Sequence, residues 1–139
     1  MVRSGDKLYG LCILVAEDEY LVADVIVQLI QLYGGTVAGP VACEEEALAI
    51  LDETPVDCAV LDVKLSNGPC VSLARELAKR DIPVTLATGY SRSSIPEELR
   101  HLPTFTKPID LGALLEHLAD CRRTNPDEKP EIGSGQPTV

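Results

Sequence analysis

Four apolar stretches of this chain each run into a side chain that can hold a metal, a proton or a phosphoryl group. "LCILVA" leads into Glu17, Asp18 and Glu19; "VDCAVLD" ends in Asp62; "DIPVTLAT" ends in Thr88; "PTFT" is followed by Lys107-Pro108. A carboxylate closing a buried strand is penalised by desolvation unless something offsets its charge. Should these ends converge, the carboxylates repel one another and at least one pKa rises, unless a cation joins them. Oxygen ligands, incomplete in number, suit Mg²⁺, which keeps several of its waters. A hard cation, a lysine and a hydroxyl around a carboxylate suit a phosphoryl group, whose oxygens need neutralising. An aspartate can be the nucleophile that accepts it. Asp62 has a second reading as a turn or cap residue, but that reading leaves Asp18, Thr88 and Lys107 unexplained.

The elements that must position these groups alternate in type. Residues 11–16 form a short continuous apolar run, read as a strand buried on both faces. From Tyr20 to Tyr33 the spacing turns helical, with Val22, Val25, Ile26, Leu29 and Leu32 as the expected buried stripe and Gly34-Gly35 as the stop. "TVAGPVA" (36–42) is extended, and Gly39-Pro40 assigns it to an edge. Glu44, Glu45 and Glu46 complement the dipole of a helix start, with Ala47, Leu48 and Leu51 on its inner face. Residues 56–62 are a third strand, Cys70, Leu73, Ala74, Leu77 and Ala78 a helix stripe, and 81–88 a fourth strand. The polar stretch 89–102, where only "PEELRHL" looks helical, is expected to be the least rigid element. "PTFT" is a fifth strand, and Leu111, Leu114, Leu115 and Leu118 mark the last helix. Five strands alternating with five helices predict a doubly wound α/β fold, with right-handed crossovers and both faces of a parallel sheet covered. In such folds ligands bind outside the carboxyl ends of the strands. That is where the four polar ends lie.

Composition narrows the function. At 139 residues the chain suits one domain with a sizeable core. Residues 1–9 read as an N-terminal extension, 10–121 as the domain, and 122–139, rich in Pro and Gly with little to bury, as a disordered tail. The formal net charge of -10 argues against direct nucleic-acid binding, where cationic side chains replace counterions. No apolar run reaches membrane-spanning length and no secretion signal is visible, so the expected location is the cytoplasm. Five cysteines without C-x-x-C spacing fit buried thiols in a reducing compartment rather than zinc ligands. His101 and His117 are too few and too scattered for a metal or phosphorelay site.

"ILVAEDE", "AVLDVKLSNG", "LATGY" and "FTKP", in this order, resemble the receiver domain of bacterial two-component response regulators. The resemblance covers residues 10 to about 121 and implies a flavodoxin-like fold with strand order 2-1-3-4-5. It implies that Asp62 accepts phosphate from the phosphohistidine of a sensor histidine kinase or phosphotransfer protein. Asp18 and Asp62 would hold Mg²⁺ directly, the Lys64 backbone carbonyl would be a further ligand, and Glu17 would act through water or at the edge of the shell. Thr88 would meet a phosphoryl oxygen, Lys107 would pair with it, and Lys107-Pro108 resembles the family's cis peptide.

Departures from the family pattern fall around the fifth strand. Receivers usually carry Tyr or Phe three residues before this lysine; here Thr104 stands there. Phe105 is one residue closer, where strand alternation sends it to the opposite face. "TLATGY" resembles the FATGUY group of receivers, with Leu86 in place of Phe, and makes Tyr90 the candidate for gating the site; an ordinary loop tyrosine is the other reading. Lys64 and Tyr90, two beyond Asp62 and Thr88, are also candidates for setting the lifetime of the phosphoryl group. The resemblance implies a stand-alone, phosphorylatable receiver that signals to an unidentified downstream protein, through a face expected around the last two helices and fifth strand. A pseudo-receiver that signals without phosphate is the alternative left open by Thr104. An aspartate-based phosphatase fits poorly, since "AEDEYL" lacks the Asp-x-Asp spacing after the first strand.

Overall fold

The computed structural model describes residues 4–66, 68–89 and 92–121. Tyr90 and the 122–139 segment, both subjects of expectations above, lie outside the described residues. A five-stranded parallel sheet is built from β1 (Cys12–Ala16), β2 (Thr36–Val41), β3 (Cys58–Leu61), β4 (Val84–Thr88) and β5 (Thr104–Thr106), in the spatial order 2-1-3-4-5. Among the described residues four α-helices cover it: α1 (Tyr20–Leu32), α2 (Glu44–Glu53), α3 (Val71–Lys79) and α4 (Leu111–Ala119). Registers such as Ile13 opposite both Val37 and Cys58, and Thr88 opposite Thr106, align the carboxyl ends of the strands at one edge.

Strand pleating divides the core into two layers. Leu14, Ala16, Ala59, Leu61, Val84 and Leu86 pack with Ala47 and Leu51 of α2 and Leu73 and Leu77 of α3. Ile13, Val15, Cys58, Val60 and Ala87 face the other way, against Ile26 and Ile30 of α1 and Leu114 and Leu118 of α4. Leu8, ahead of β1, is fully buried in this second layer, and its N–H donates to the Tyr33 carbonyl at 2.8 Å. On the edge strand β2 the register with β1 shifts at the cis Gly39–Pro40 bond. Gly39 has a φ of 105°, and a Cβ there would sit 2.9 Å from the Val15 carbonyl oxygen, so only glycine fits.

Three features differ from the reading of the sequence. The buried stripe of α1 is Ala23, Ile26 and Ile30, while Val25 and Leu32 of the expected stripe are exposed, as is Ala78 of the expected α3 stripe. Among the described residues of the β4–β5 connection, two 3₁₀ turns (Arg92–Ser94 and Glu97–Leu99) replace the expected fifth helix. Pro96 lacks the N–H that a continuous helix would require, and the run after it is short. This connection is anchored nevertheless: Ile95 and Leu99 are buried, and Arg75 of α3 grips Glu98 in a two-pronged ion pair at 2.9 Å. Finally, a small antiparallel hairpin pairs Lys64–Leu65 with Gly68–Pro69 just after β3.

Candidate functional site

The carboxyl ends of β1, β3 and β5 bring the expected charges together. β1 gives way at Ala16 to Glu17 and Asp18, and the Glu17 N–H is held by the Val41 carbonyl at 2.8 Å. The Asp62 N–H donates to the Ala16 carbonyl at 2.8 Å, which continues the β1–β3 ladder and sets Asp62 beside Glu17. Lys107 follows β5, and its N–H donates to the Thr88 carbonyl at 2.9 Å. The Lys107 ammonium lies 3.0 Å from Asp62 Oδ2 and 3.1 Å from Glu17 Oε2, and it also pairs with Glu19. Glu17, Asp18 and Asp62 each offer a carboxylate oxygen, all within 4.8 Å of one another. Residues separated by up to 90 positions in the chain therefore meet at one point.

A cavity of about 430 Å³ opens over this cluster, lined by Asp18, Glu19, Asp62, Lys64, Gly89 and Lys107. Glu17 and Asp62 are buried beneath it and Asp18 is exposed at its mouth. Thr88 is fully buried at the end of β4, in register with Thr106. The Lys64 N–H donates to Asp62 Oδ1 at 3.2 Å while its side chain is exposed. The Lys107–Pro108 bond is cis.

Electrostatics at the site are unbalanced. Burial, reinforced by Asp62, raises the Glu17 carboxyl to about 7. Burial works against the Lys107 ammonium, but Glu19, Asp62 and Glu17 together hold its pKa above the ordinary lysine value. Glu17 Oε1 is buried and has no hydrogen-bond partner among the described residues. Carboxylates outnumber ammonium groups here, and one of their oxygens is left without a donor. Such a donor set fits a hard divalent cation, which would take oxygen ligands and relieve the repulsion.

Other expected residues lie apart. The Phe105 ring packs in the α1/α4 layer and meets the His117 ring at a centroid distance of 5.6 Å. Thr104 is half-buried and its hydroxyl donates to the Leu102 carbonyl at 3.0 Å. Neither Thr104 nor Phe105 lines the acidic cavity. Glu19, in contrast, received no role from the sequence, although its place directly after Glu17 and Asp18 was the available signal. Its backbone N–H donates to Glu17 Oε2 at 3.0 Å, so the same residue braces the buried acid and meets the lysine.

Comparison with known proteins agrees with this architecture. The family model of the response regulator receiver domain matches residues 13–119. The transcriptional regulatory protein PdtaR of Mycobacterium tuberculosis is 25% identical over 107 residues, covering 74% of this chain and 52% of that protein. The chain thus spans about half the length of this curated relative. The solution structure of SdrG from Sphingomonas melonis Fr1 is 34% identical, with a TM-score of 0.71 over 83% of this chain and 97% of that one. A CheY-like receiver domain protein from Methanospirillum hungatei JF-1 shares the fold at 23% identity, with a TM-score of 0.69 over 79% of this chain and 91% of its own. This chain belongs to the response regulator receiver domain family, the signalling module of two-component systems.

Proposed function

We propose that Asp62 is the phosphoacceptor of this receiver and that its donor is the phosphohistidine of a sensor histidine kinase or phosphotransfer protein. An Asp62 carboxylate oxygen attacks phosphorus, the P–N bond to the donor imidazole breaks, and the imidazole leaves with the electron pair. The observation that carries this reading is the Lys107 ammonium 3.0 Å from Asp62, inside an acidic cluster that could hold a metal. Asp18 and Asp62 would hold Mg²⁺, with Glu17 at the edge of the shell and the Lys64 carbonyl as a further ligand. When bound, the ion would offset negative charge on the phosphoryl oxygens. Lys107 stays protonated in this setting, so it can pair with a phosphoryl oxygen as well as with Asp62. Thr88, buried at the end of β4 next to the lysine's backbone, supplies the hydroxyl.

A donor protein must bring its phosphohistidine to the cavity mouth, and the neighbouring surface suits that task. A second, apolar cavity of about 300 Å³ is lined by Leu21, Val25, Ile26, Pro108, Ile109 and Lys107. Lys107 lines both cavities, so the apolar groove lies beside the proposed phosphoacceptor site. Tyr20 and Leu21 are more than three-quarters exposed beside it. These exposed apolar groups stand on α1 and support it as the donor's docking face, apart from the expected output face around the last two helices and fifth strand. Histidine kinases and their phosphotransfer proteins are cytoplasmic at the phosphohistidine, which sets the proposed location; among the described residues no helix is long and apolar enough to cross a membrane.

The test is incubation of the purified chain with Mg²⁺ and acetyl phosphate. Gain of one phosphoryl group, stable to acid and labile to alkali, is expected in the wild type and absent in Asp62→Asn. A wild type that takes up no phosphate would favour the pseudo-receiver reading. Continuous turnover of phosphate esters would favour the phosphatase.

A further inference from the structure

Glu19 stands at the start of a helix, but its carboxylate serves another group. It is the N-cap of α1, where its backbone carbonyl accepts the Ala23 N–H at 2.9 Å, yet its side chain caps no backbone N–H of that helix. A side-chain oxygen at an N-cap ordinarily accepts such a bond. Here the carboxylate pairs instead with Lys107, 88 positions along the chain. Glu19 also stands outside the three carboxylates, Glu17, Asp18 and Asp62, that could hold a metal ion. Its side chain is 59% exposed, and it lines the cavity that opens over Asp62.

A lysine ammonium has three N–H donors and accepts nothing. Those of Lys107 meet three carboxylates: Asp62 at 3.0 Å, Glu17 at 3.1 Å, and Glu19. A phosphoryl oxygen on Asp62 can therefore reach the ammonium only if one of the three lets go. Glu17 is buried, and its Oε2 also accepts the Glu19 N–H at 3.0 Å. Asp62 is buried and would carry the phosphoryl group itself. Glu19 alone of the three is exposed, so water can solvate its carboxylate once it leaves. An exposed ion pair of this kind is weak and exchanges at small cost.

We propose that Glu19 is a positioning residue, a placeholder anion whose carboxylate occupies the Lys107 donor that a phosphoryl oxygen takes over when Asp62 is phosphorylated. The inference rests on the reading of Asp62 as phosphoacceptor and adds to it the residue that must be displaced. In the exchange the phosphoryl oxygen accepts the N–H that Glu19 gives up, and the Glu19 carboxylate turns to water. Lys107 keeps its bonds to the two buried acids throughout. Until then Glu19 holds the third donor of the ammonium, and its charge opposes the approach of an anionic phosphodonor. Both effects favour the unphosphorylated state. Glu19 thereby sets how readily Asp62 is loaded, without entering the metal's ligand set.

The experiment compares the full chain with Glu19→Gln, which keeps the backbone N–H to Glu17 and removes the charge. With Mg²⁺ and acetyl phosphate, Glu19→Gln should gain its phosphoryl group about two- to fivefold faster than the wild type, the range an exposed ion pair can contribute. In the wild type the ¹³C signal of the Glu19 side-chain carboxyl, assigned by its loss in Glu19→Gln, should shift on phosphorylation. In EDTA the urea midpoints of the two chains should nearly coincide. Equal or slower phosphate gain in Glu19→Gln, or a Glu19 carboxyl signal that stays in place, would overturn the inference and leave Asp62 as the acceptor. So would a large fall in the urea midpoint, which would make Glu19 a structural brace. A wild type that gains no phosphate overturns the phosphoacceptor reading and this inference together.

Discussion

Glu17, Asp18, Asp62 and Lys107 stand at the carboxyl ends of the strands, and Cys12, Cys58 and Cys121 at or beside the amino ends. Both groups include residues at the ends of β1 and β3, and both contain buried polarisable atoms. They differ in whether the protein satisfies them. At the thiol pole Cys58 and Cys121 are buried in the same core layer, and the Asp57 carboxylate accepts the Cys12 N–H at 2.7 Å. At the acid pole several carboxylates converge on one lysine, a buried oxygen of Glu17 has no partner among the described residues, and the Glu17 carboxyl rises to about 7. An unmet electrostatic demand of this kind would be relieved by a divalent cation, the ligand proposed for the acid pole. The thiol pole has no comparable demand: no buried side-chain oxygen or nitrogen there lacks a partner among the described residues.

The largest effect on this contrast should come from Lys107→Met. It removes the ammonium from two carboxylates whose side chains are only 2% and 8% exposed. Removing one partner of a buried ion pair costs about 3 kcal/mol or more, because the other charge stays buried. Urea unfolding in EDTA at neutral pH should show a loss of that order, and added Mg²⁺ should recover more stability in this variant than in the wild type. A loss indifferent to Mg²⁺, such as a cavity in either core layer would give, would erase the distinction between the poles.

A smaller effect follows from Glu17. Its folded pKa of about 7 exceeds its ordinary value of 4.5, so the folded protein binds this proton more tightly than the unfolded chain does. The resulting stabilisation is complete below pH 4.5 and is lost as pH rises through about 7. In metal-free protein, stability measured between pH 5 and pH 7.5 should fall more steeply in the wild type than in Glu17→Gln, by about 2 kcal/mol across the range. Mg²⁺ should flatten the wild-type curve from its high-pH end. Parallel curves would mean that Glu17 is already satisfied and that the acid pole is no less balanced than the thiol pole.

The two poles were also unequally legible in the sequence. The acid pole could be read because each of its groups closes an apolar run, and a parallel sheet brings such ends together whatever the loops between them do. The thiol pole could not, since it depends on α4 returning Cys121 to the amino end of the sheet beside Val84 and Thr85, a tertiary placement without a local signal. The stripe of α1 was misread for a related reason. "YLVADVIVQLIQL" is apolar nearly all round, so several faces satisfy the three-and-four spacing, and only packing selects Ala23, Ile26 and Ile30. The face left outside, with Tyr20, Leu21, Val25 and Leu32 exposed, is the one proposed to receive the phosphodonor. The segment around Pro96 was legible as irregular, but the Arg75–Glu98 pair that anchors it joins residues 23 positions apart. Thr104 and Phe105 behaved as strand alternation predicts, with Phe105 turned into the α4 layer.

The smallest predicted effect would sharpen what the acid pole does once it is loaded. The exposed side chain of Lys64 lines the rim of the cavity, while its backbone N–H is engaged with Asp62 Oδ1. Substitution by alanine leaves that backbone contact and every carboxylate in place, so Mg²⁺ affinity should change less than about twofold, in keeping with the small energies of exposed charges. The side chain nevertheless lines the cavity through which water would approach a phosphoryl group on Asp62. Lys64→Ala should therefore alter the rate of phosphate loss from Asp62 by about two- to fivefold, an activation difference of up to about 1 kcal/mol. Decay of the phosphorylated chain, followed beside Mg²⁺ titrations of the same variant, separates the two quantities. Equal small changes in both would make Lys64 a solvated rim residue and confine the pole's chemistry to Glu17, Asp18, Asp62, Thr88 and Lys107.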